Sequence, residues 1–350
     1  MSAPRVALLG VGLIGGSIGL AARQRLGARV VGWNRSPAAL ETALSMGAID
    51  EAVASLDDLG DADIAIASVS VDALPGAVRD LCDRLPGAVV TDVGSTKQAL
   101  VEAVDREHFI GGHPLAGAEM TGVAHARVNL FDGATWYLTP GERTAGVLYE
   151  RLARFVTGIG AVPAAIGPAD HDRLMAAVSH LPHVVANLLV AQAAAALGGE
   201  TLPATGPSFR DATRVAGANP ALWEQIYRAN SGALGAQIDD LVRRLGEVRS
   251  LLDGGGDLGA WQSRAAAQRA ALLEVGLMGG EAREIRVSVP NTPGVVAAIA
   301  LTLGRAGINI TDMSLAPEAD NRTGVVALWV RQAESDRAIE LVAELGYPAA

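Results

Sequence analysis

Two stretches of this chain carry residue types whose order suits chemistry. One is Phe109-Ile110-Gly111-Gly112-His113-Pro114-Leu115-Ala116-Gly117-Ala118-Glu119. A histidine set between glycines and a proline at a strand end is poorly explained as core packing, and an imidazole can act as a general base at neutral pH. The other is VALLGVGLIGGSIG, from Val6 to Gly19. Its apolar start reads as a buried strand, and Gly10, Gly12 and Gly15 give the spacing G-x-G-x-x-G. The first glycine permits a tight strand-to-helix turn. The second lets backbone approach a pyrophosphate, and the third lets helix and strand pack closely. The phosphates then rest on N–H groups at the positive end of the helix. Glycine is common here, 41 of 350 residues, so the spacing alone is weak evidence. Its context strengthens it: the motif follows a strand, opens a helix and is followed by a second strand, 28–32, at βαβ distance. Leu13 and Ile14 inside the motif, with Ser68 and Val69 at a later strand end, complete the candidate dinucleotide cradle.

The second strand ends in Asn34-Arg35-Ser36. An NAD site usually carries an acidic residue here for the ribose hydroxyls, whereas an NADP site excludes that charge and often recruits an arginine. The absence of Asp or Glu favours NADP, or use of both cofactors, over strict NAD; a solvated loop is the alternative for Arg35. Val93-Gly94-Ser95-Thr96-Lys97 marks a further strand exit, where Gly94 permits a turn and Ser95 can cap a helix. Lys97 is the only lysine among 28 basic residues.

The elements that must position these groups alternate strand and helix from Val6 to about Gly167, which predicts a doubly wound α/β domain over 1–167. Residues 168–280 read as helical, with Ser179-His180-Leu181-Pro182-His183 near the start and Pro182 forcing a kink or a new helix. The stretch Val184 to Leu197 is apolar almost all round and is expected to be buried in a core or between subunits. Residues 281–350 follow the order β-α-β-β-α, with a faint last strand at 347–350, the pattern of a ferredoxin-like βαββαβ module.

Bulk composition narrows the function. The net charge of −10 with no basic block argues against nucleic acid as partner. No apolar run is expected to cross a bilayer, because Val184 to Leu197 falls short of the usual ~20 residues. The first strand begins almost at once, and Cys82 is the single cysteine. A cytoplasmic protein without disulfides is the default expectation. No residues show metal-ligand spacing.

Taken together, GVGLIGGSIG, TDVGSTK, GGHPLAGAE, SHLPH and FRDATR occur here in the order and context seen in prephenate and arogenate dehydrogenases. The chain closely resembles that family over about residues 4–275, and PNTPGVVAAIALTLGRAGINI resembles the start of an ACT domain. The resemblance implies NAD(P)-dependent oxidative decarboxylation of prephenate to 4-hydroxyphenylpyruvate, on the route to tyrosine. It implies His113 as the base that takes the ring hydroxyl proton while hydride leaves the same carbon, with Ser95 as its hydrogen-bonding partner. Arg214 matches an arginine that grips a substrate carboxylate, and Asp211 is expected to hold it. His183, His180, Glu119 and Trp223 are expected at the substrate, though packing explains His180 and Trp223 equally well. In the ACT module Asn291, Gly294, Ile308 and Asn309 match loops that hold amino acids, with tyrosine as the expected effector or, alternatively, assembly as the only role. A homodimer is implied. Ala118 stands where many relatives carry threonine, which leaves prephenate, arogenate or dual (cyclohexadienyl) specificity open. A hydroxyacid-type dehydrogenase would need a lysine in the helical domain, and there is none. A non-catalytic dinucleotide and amino-acid sensor is the reading from a different class.

Overall fold

The computed structural model describes residues 3–117, 120–198, 206–274, 282–310, 312–317 and 322–349. They form two compact units: Met1–Asp172 with Ala218–Ala229 and Ala282–Ala350, and Arg173–Gly217 with Asn230–Glu281. By compactness, the C-terminal module and residues 218–229 group with the nucleotide-binding part.

In the first unit the chain runs β1 (Arg5–Leu9), α1 (Leu13–Leu26), β2 (Arg29–Trp33), α2 (Pro37–Ser45), β3 (Glu51–Ala52), β4 (Ile64–Ala67), α3 (Leu74–Arg84), β5 (Val89–Asp92) and α4 (Gln98–Val104). These strands pair in parallel in the order β3-β2-β1-β4-β5, the doubly wound arrangement that the alternation predicts. Successive β1 residues feed opposite faces: Val6 and Leu8 enter one apolar cluster, Ala7 and Leu9 the other. Only strands covered by helices on both sides tolerate such an unbroken apolar run. Cys82 packs in the second cluster, and burial pushes its thiol up to about 12. It is a packing residue.

A second, three-stranded sheet adjoins β5 at Ile110, whose N–H donates to Val90 O at 2.9 Å; the chain there runs β6 (Gly111–Pro114), β7 (Thr135–Thr139), α5 (Gly146–Gly158) and β8 (Val162–Ala165), in the order β6-β7-β8. There β6 is antiparallel to β7, and β7 is parallel to β8. The next helix, α6 (Pro168–Met175), begins in this unit.

After it, α7 (Leu181–Ala196), α8 (Pro207–Thr213), α9 (Pro220–Ala229), α10 (Ser231–Gly254) and α11 (Leu258–Glu274) are all helical. Apart from α9, they belong to the second unit. Pro182 lies in the first turn of α7, the helix start read for it. A π-helical segment, Ala176–His180, joins α6 to α7, giving one helical stretch over Pro168–Ala196. By length and composition it is long and apolar enough to cross a membrane, contrary to the sequence reading, and its most apolar window is only 22% buried. Of the two places expected to bury 184–197, a core within the chain is not the one: Leu188 is 60% exposed.

The C-terminal module is β9 (Ala282–Pro290), α12 (Val295–Arg305), β10 (Asp312–Pro317), β11 (Thr323–Arg331) and α13 (Ser335–Glu344), with antiparallel order β10-β11-β9. The faint last strand amounts to a bridge between Val287 and Ala349. The module is fastened to the nucleotide-binding part. Gly294 N–H donates to Thr144 O at 3.0 Å, and Leu315 N–H donates to the Glu150 carboxylate at 3.2 Å. Arg305 at the end of α12 pairs with Asp170 at 3.4 Å.

Candidate active site

The glycine turn has the shape that its spacing demands. Gly10 has φ +98°, and a Cβ there would stand 2.2 Å from Ser68 O; at Gly15 it would meet Gly10 O at 2.2 Å. A Cβ on Gly12 would meet nothing within 4 Å, so this glycine borders open space where a phosphate can approach. Gly12 is also the N-cap of α1, with no side-chain cap and no acidic residue in the first turn. This leaves the positive end of the helix to an anion. A cleft of about 400 Å³ opens here, lined by Gly10, Gly12, Asn34, Arg35, Ser68 and Val69 among others, within the size range of small-molecule sites. The residues present therefore fit a dinucleotide. Leu13 and Ile14 pack partly against the core below it. Ser36 is occupied as the N-cap of α2, its Oγ accepting from Ala39 N–H at 3.4 Å. Arg35 is exposed and has no ion-pair partner among the described residues.

On β6, which is tied to the carboxyl end of β5, stands His113. Its place is fixed by Asp92, a fully buried carboxylate. One oxygen of Asp92 accepts from Gly112 N–H at 3.0 Å, and the other accepts from Gly94 N–H at 2.7 Å and pairs with Lys97 Nζ. Lys97 is itself 0% exposed; burial pushes its ammonium below the ordinary lysine range, and Asp92 opposes that shift. Gly112 is required at its position, since a Cβ would come within 2.5 Å of Asp92 O. Lys97 thus supports the site through an ion pair that joins the Ser95 turn to the His113 strand.

The partner of His113 Nδ1 is His171 rather than Ser95. The two imidazoles lie 2.9 Å apart, Nδ1 to Nε2, with rings edge to face. His171 Nδ1 in turn lies 2.8 Å from Asp172 Oδ1. His171 is fully buried, and burial holds its ring below the usual histidine range, against the pull of Asp172. Ser95 is half-buried at the β5 exit. Asp170-His171-Asp172 reads from sequence only as a helix start; two acids flanking a histidine are the available sign. Glu119 and Ala118 lie outside the described residues.

In the second unit His183 and Arg214 are near enough to interact: the guanidinium, together with desolvation as the larger cause, holds the His183 imidazole below its usual range. The expected Asp211–Arg214 pair is absent among the described residues. Helix α8 ends at Thr213, with Arg214 as its C-cap and the first residue of a 3-10 turn. His180 is 1% exposed with Asn230 Nδ2 3.1 Å from its Nδ1, a packed position. Trp223 stacks at a tilt on Tyr227, 5.4 Å between centroids. Its helix α9 meets the turn after β4, where Asp72 N–H donates to Gln225 at 3.5 Å. In the C-terminal module Ile308 is 4% exposed and belongs to the core. Gly294 abuts the nucleotide-binding part, since a Cβ there would stand 2.3 Å from Glu142 O. Asn309 buries a side-chain oxygen that has no hydrogen-bond partner among the described residues, and Asn291 N–H donates to Arg322 O at 2.8 Å.

Residues 18–164 match the family model described as prephenate dehydrogenase, nucleotide-binding domain. Residues 167–258 match its dimerization domain, and 283–345 match the ACT domain. Over 348 residues the chain is 31% identical to a prephenate dehydrogenase of Bacillus subtilis (strain 168), covering 95% of this chain and 93% of the relative. Among solved structures it is similar to prephenate dehydrogenase from A. aeolicus in complex with hydroxyphenyl propionate and NAD+, with TM-score 0.71 and 28% identity over 78% of this chain and 99% of that one. Synechocystis arogenate dehydrogenase is similar at TM-score 0.69 and 30% identity, over 77% and 99% of the two chains.

Proposed function

The chain belongs to the prephenate dehydrogenase family, and on that premise we propose that it oxidatively decarboxylates prephenate, with His113 taking the proton of the ring hydroxyl. One observation supports that role most directly: His113 stands on β6, which is tied to the carboxyl end of β5 through the Gly112 N–H bond to Asp92, and its ring is held by a buried histidine. A nicotinamide dinucleotide, held by Gly10, Gly12, Gly15 and the α1 N-terminus, supplies the two-electron acceptor. His113 takes the O–H proton as the hydrogen on the same ring carbon departs with its bonding pair; the ring carboxylate then leaves as CO₂, the electrons of that bond pass through the aromatising ring to the oxygen, and the oxygen regains a proton as the phenol. Ser95, at the neighbouring strand exit, is assigned to the polar surroundings of the same reaction.

The substrate is a dianion and needs cations. Arg214 supplies one, because a guanidinium fork matches a carboxylate, and the neutral His183 beside it adds a polar contact. Arg214→Ala is expected to raise the substrate KM roughly 10- to 150-fold, the equivalent of a charge-assisted hydrogen bond of about 1.5–3 kcal/mol, with a smaller change in kcat. Steady-state kinetics check it; an unchanged KM removes Arg214 from the site.

Arg35, in a strand-exit segment Asn34-Arg35-Ser36 that holds no Asp or Glu, supports NADP or dual use. The apolar stretch Pro168–Ala196 carries Asn187 and Gln192 and falls in the region matched to a dimerization domain. We read it as a subunit interface in a cytoplasmic homodimer. The ACT module supports an amino-acid effector, with tyrosine as the candidate. Purified protein assayed with prephenate and arogenate against NAD and NADP, with and without tyrosine and sized in parallel, tests these assignments together. Turnover of prephenate is expected, with NADP used at least as well as NAD. No reduction of either cofactor with either substrate would favour the sensor reading.

A further inference from the structure

The geometry assigns a second histidine to the reaction: we propose that His171, backed by Asp172, is a positioning residue that fixes the tautomer of His113 and shares the proton it receives. The inference rests on the reading of His113 as the base.

It follows by elimination along a chain of hydrogen bonds. Asp172 Oδ1 accepts from Lys97 N–H at 2.8 Å, and Oδ2 accepts from Gln98 N–H at 2.9 Å. Both oxygens therefore act as acceptors, as an ionised carboxylate does. His171 Nδ1, 2.8 Å from Oδ1, must donate. A buried imidazole favours its neutral form, and burial is the largest influence on His171. Its Nε2 then carries a lone pair and accepts. His113 Nδ1, 2.9 Å from that atom, must donate in turn. The basic lone pair of His113 is thereby placed on Nε2, and the ring is held in the tautomer that a general base needs.

The charged and titratable groups around His171 suit this task. Asp172 and Asp92 favour a positive charge on the ring, Lys97 and burial oppose it, and the Tyr137 ring meets it edge-on at 5.7 Å. When His113 gains a proton at Nε2, its Nδ1 proton can move to His171 Nε2 as the His171 Nδ1 proton moves toward Asp172. Protons are conserved and no co-reactant is needed. Packing alone does not account for the arrangement, because an apolar ring would fill the space beside His113 and Tyr137 without leading a chain of donors to a carboxylate.

Two measurements test the proposal. In the unaltered full-length protein, labelled with ¹⁵N-histidine, side-chain nitrogen shifts of His113 are expected to show the proton on Nδ1 and the lone pair on Nε2. The opposite tautomer overturns the assignment, and no variant has to fold for this result. In His171→Phe, kcat is expected to fall about 10- to 100-fold, within the range that a positioned base contributes, while substrate KM and dinucleotide affinity hold. The acid limb of the kcat–pH profile should move to lower pH, since an imidazolium that has lost its acceptor holds its proton less tightly. His171→Gln, whose amide oxygen can accept from Nδ1, should recover part of the rate. A folded His171→Phe enzyme with parental kcat and an unmoved profile overturns the proposal. Retained turnover in His113→Ala, run in parallel, instead marks failure of the base assignment itself.

Discussion

A His113→Ala enzyme is expected to turn over its substrate about 10²- to 10⁴-fold more slowly than the parent, the range that a positioned general base contributes. Its dinucleotide affinity should stay the same. The separation follows from where the two functions sit. The cleft is lined from the exits of β1, β2 and β4, while His113 stands on β6, and the Gly112 N–H bond that anchors this strand to Asp92 is a backbone bond the substitution leaves in place. What disappears is the acceptor for the ring hydroxyl proton. Hydride loss from a carbon that still bears a protonated oxygen builds positive charge with nothing to relieve it, so the chemical step should slow rather than binding. Measured kcat at saturating substrate, set beside a fluorescence titration of the dinucleotide, separates the two terms. The residual rate should lose the acid limb of its pH profile, because the group whose protonation stopped the reaction is gone. A variant that keeps parental kcat, or whose loss traces wholly to weaker dinucleotide binding, removes His113 from the chemistry.

What can be read from the chain without coordinates divides along physical lines. The glycine turn is legible because two of its requirements are local: Gly10 takes a positive φ, and Gly15 approaches the Gly10 carbonyl five residues back, where only glycine fits. The ferredoxin-like order of the C-terminal module is legible for the same reason, since period and turn residues write it segment by segment. Ser36 is legible as a polar residue at a strand exit, but its type does not say which group it serves. The residue types that touch phosphates also cap helices, and this one caps α2. Asp211 and Arg214 have the i,i+3 spacing of a helical ion pair, yet Arg214 is the C-cap of that helix and the pair is absent among the described residues. Pro182 is legible as a helix start and opens α7, but the π turn that joins α7 to the helix before it carries no local mark. His171 is the largest omission. Its bond to His113 spans 58 positions and joins a strand to the start of a helix, and no local pattern encodes such a pairing. The candidate base is visible in the chain, and tertiary packing supplies its partner.

The same packing makes Lys97→Met the substitution with the largest expected cost to stability. Lys97 and Asp92 are both fully buried, and truncating one partner of a buried pair strands the other charge, at about 3–5 kcal/mol. Here the stranded group would be Asp92. It would keep the Gly94 and Gly112 N–H bonds but lose its counter-ion. The damage should spread to function, because these bonds carry the Ser95 turn and the His113 strand. Asp92→Asn combined with Lys97→Met removes both charges while preserving most of the volume. Replacing a buried pair by neutral groups is often close to neutral, so the double variant should unfold at a higher temperature than Lys97→Met alone. The pair is thus expected to behave as a coupled unit, with an interaction energy in a double-mutant cycle well above the ~0.3–0.5 kcal/mol scatter of independent sites. Thermal unfolding of the parent, the two single variants and the double variant measures it directly. Additive losses would mean that Lys97 packs beneath the loop without neutralising Asp92, and the electrostatic account of how this site is held would have to be given up.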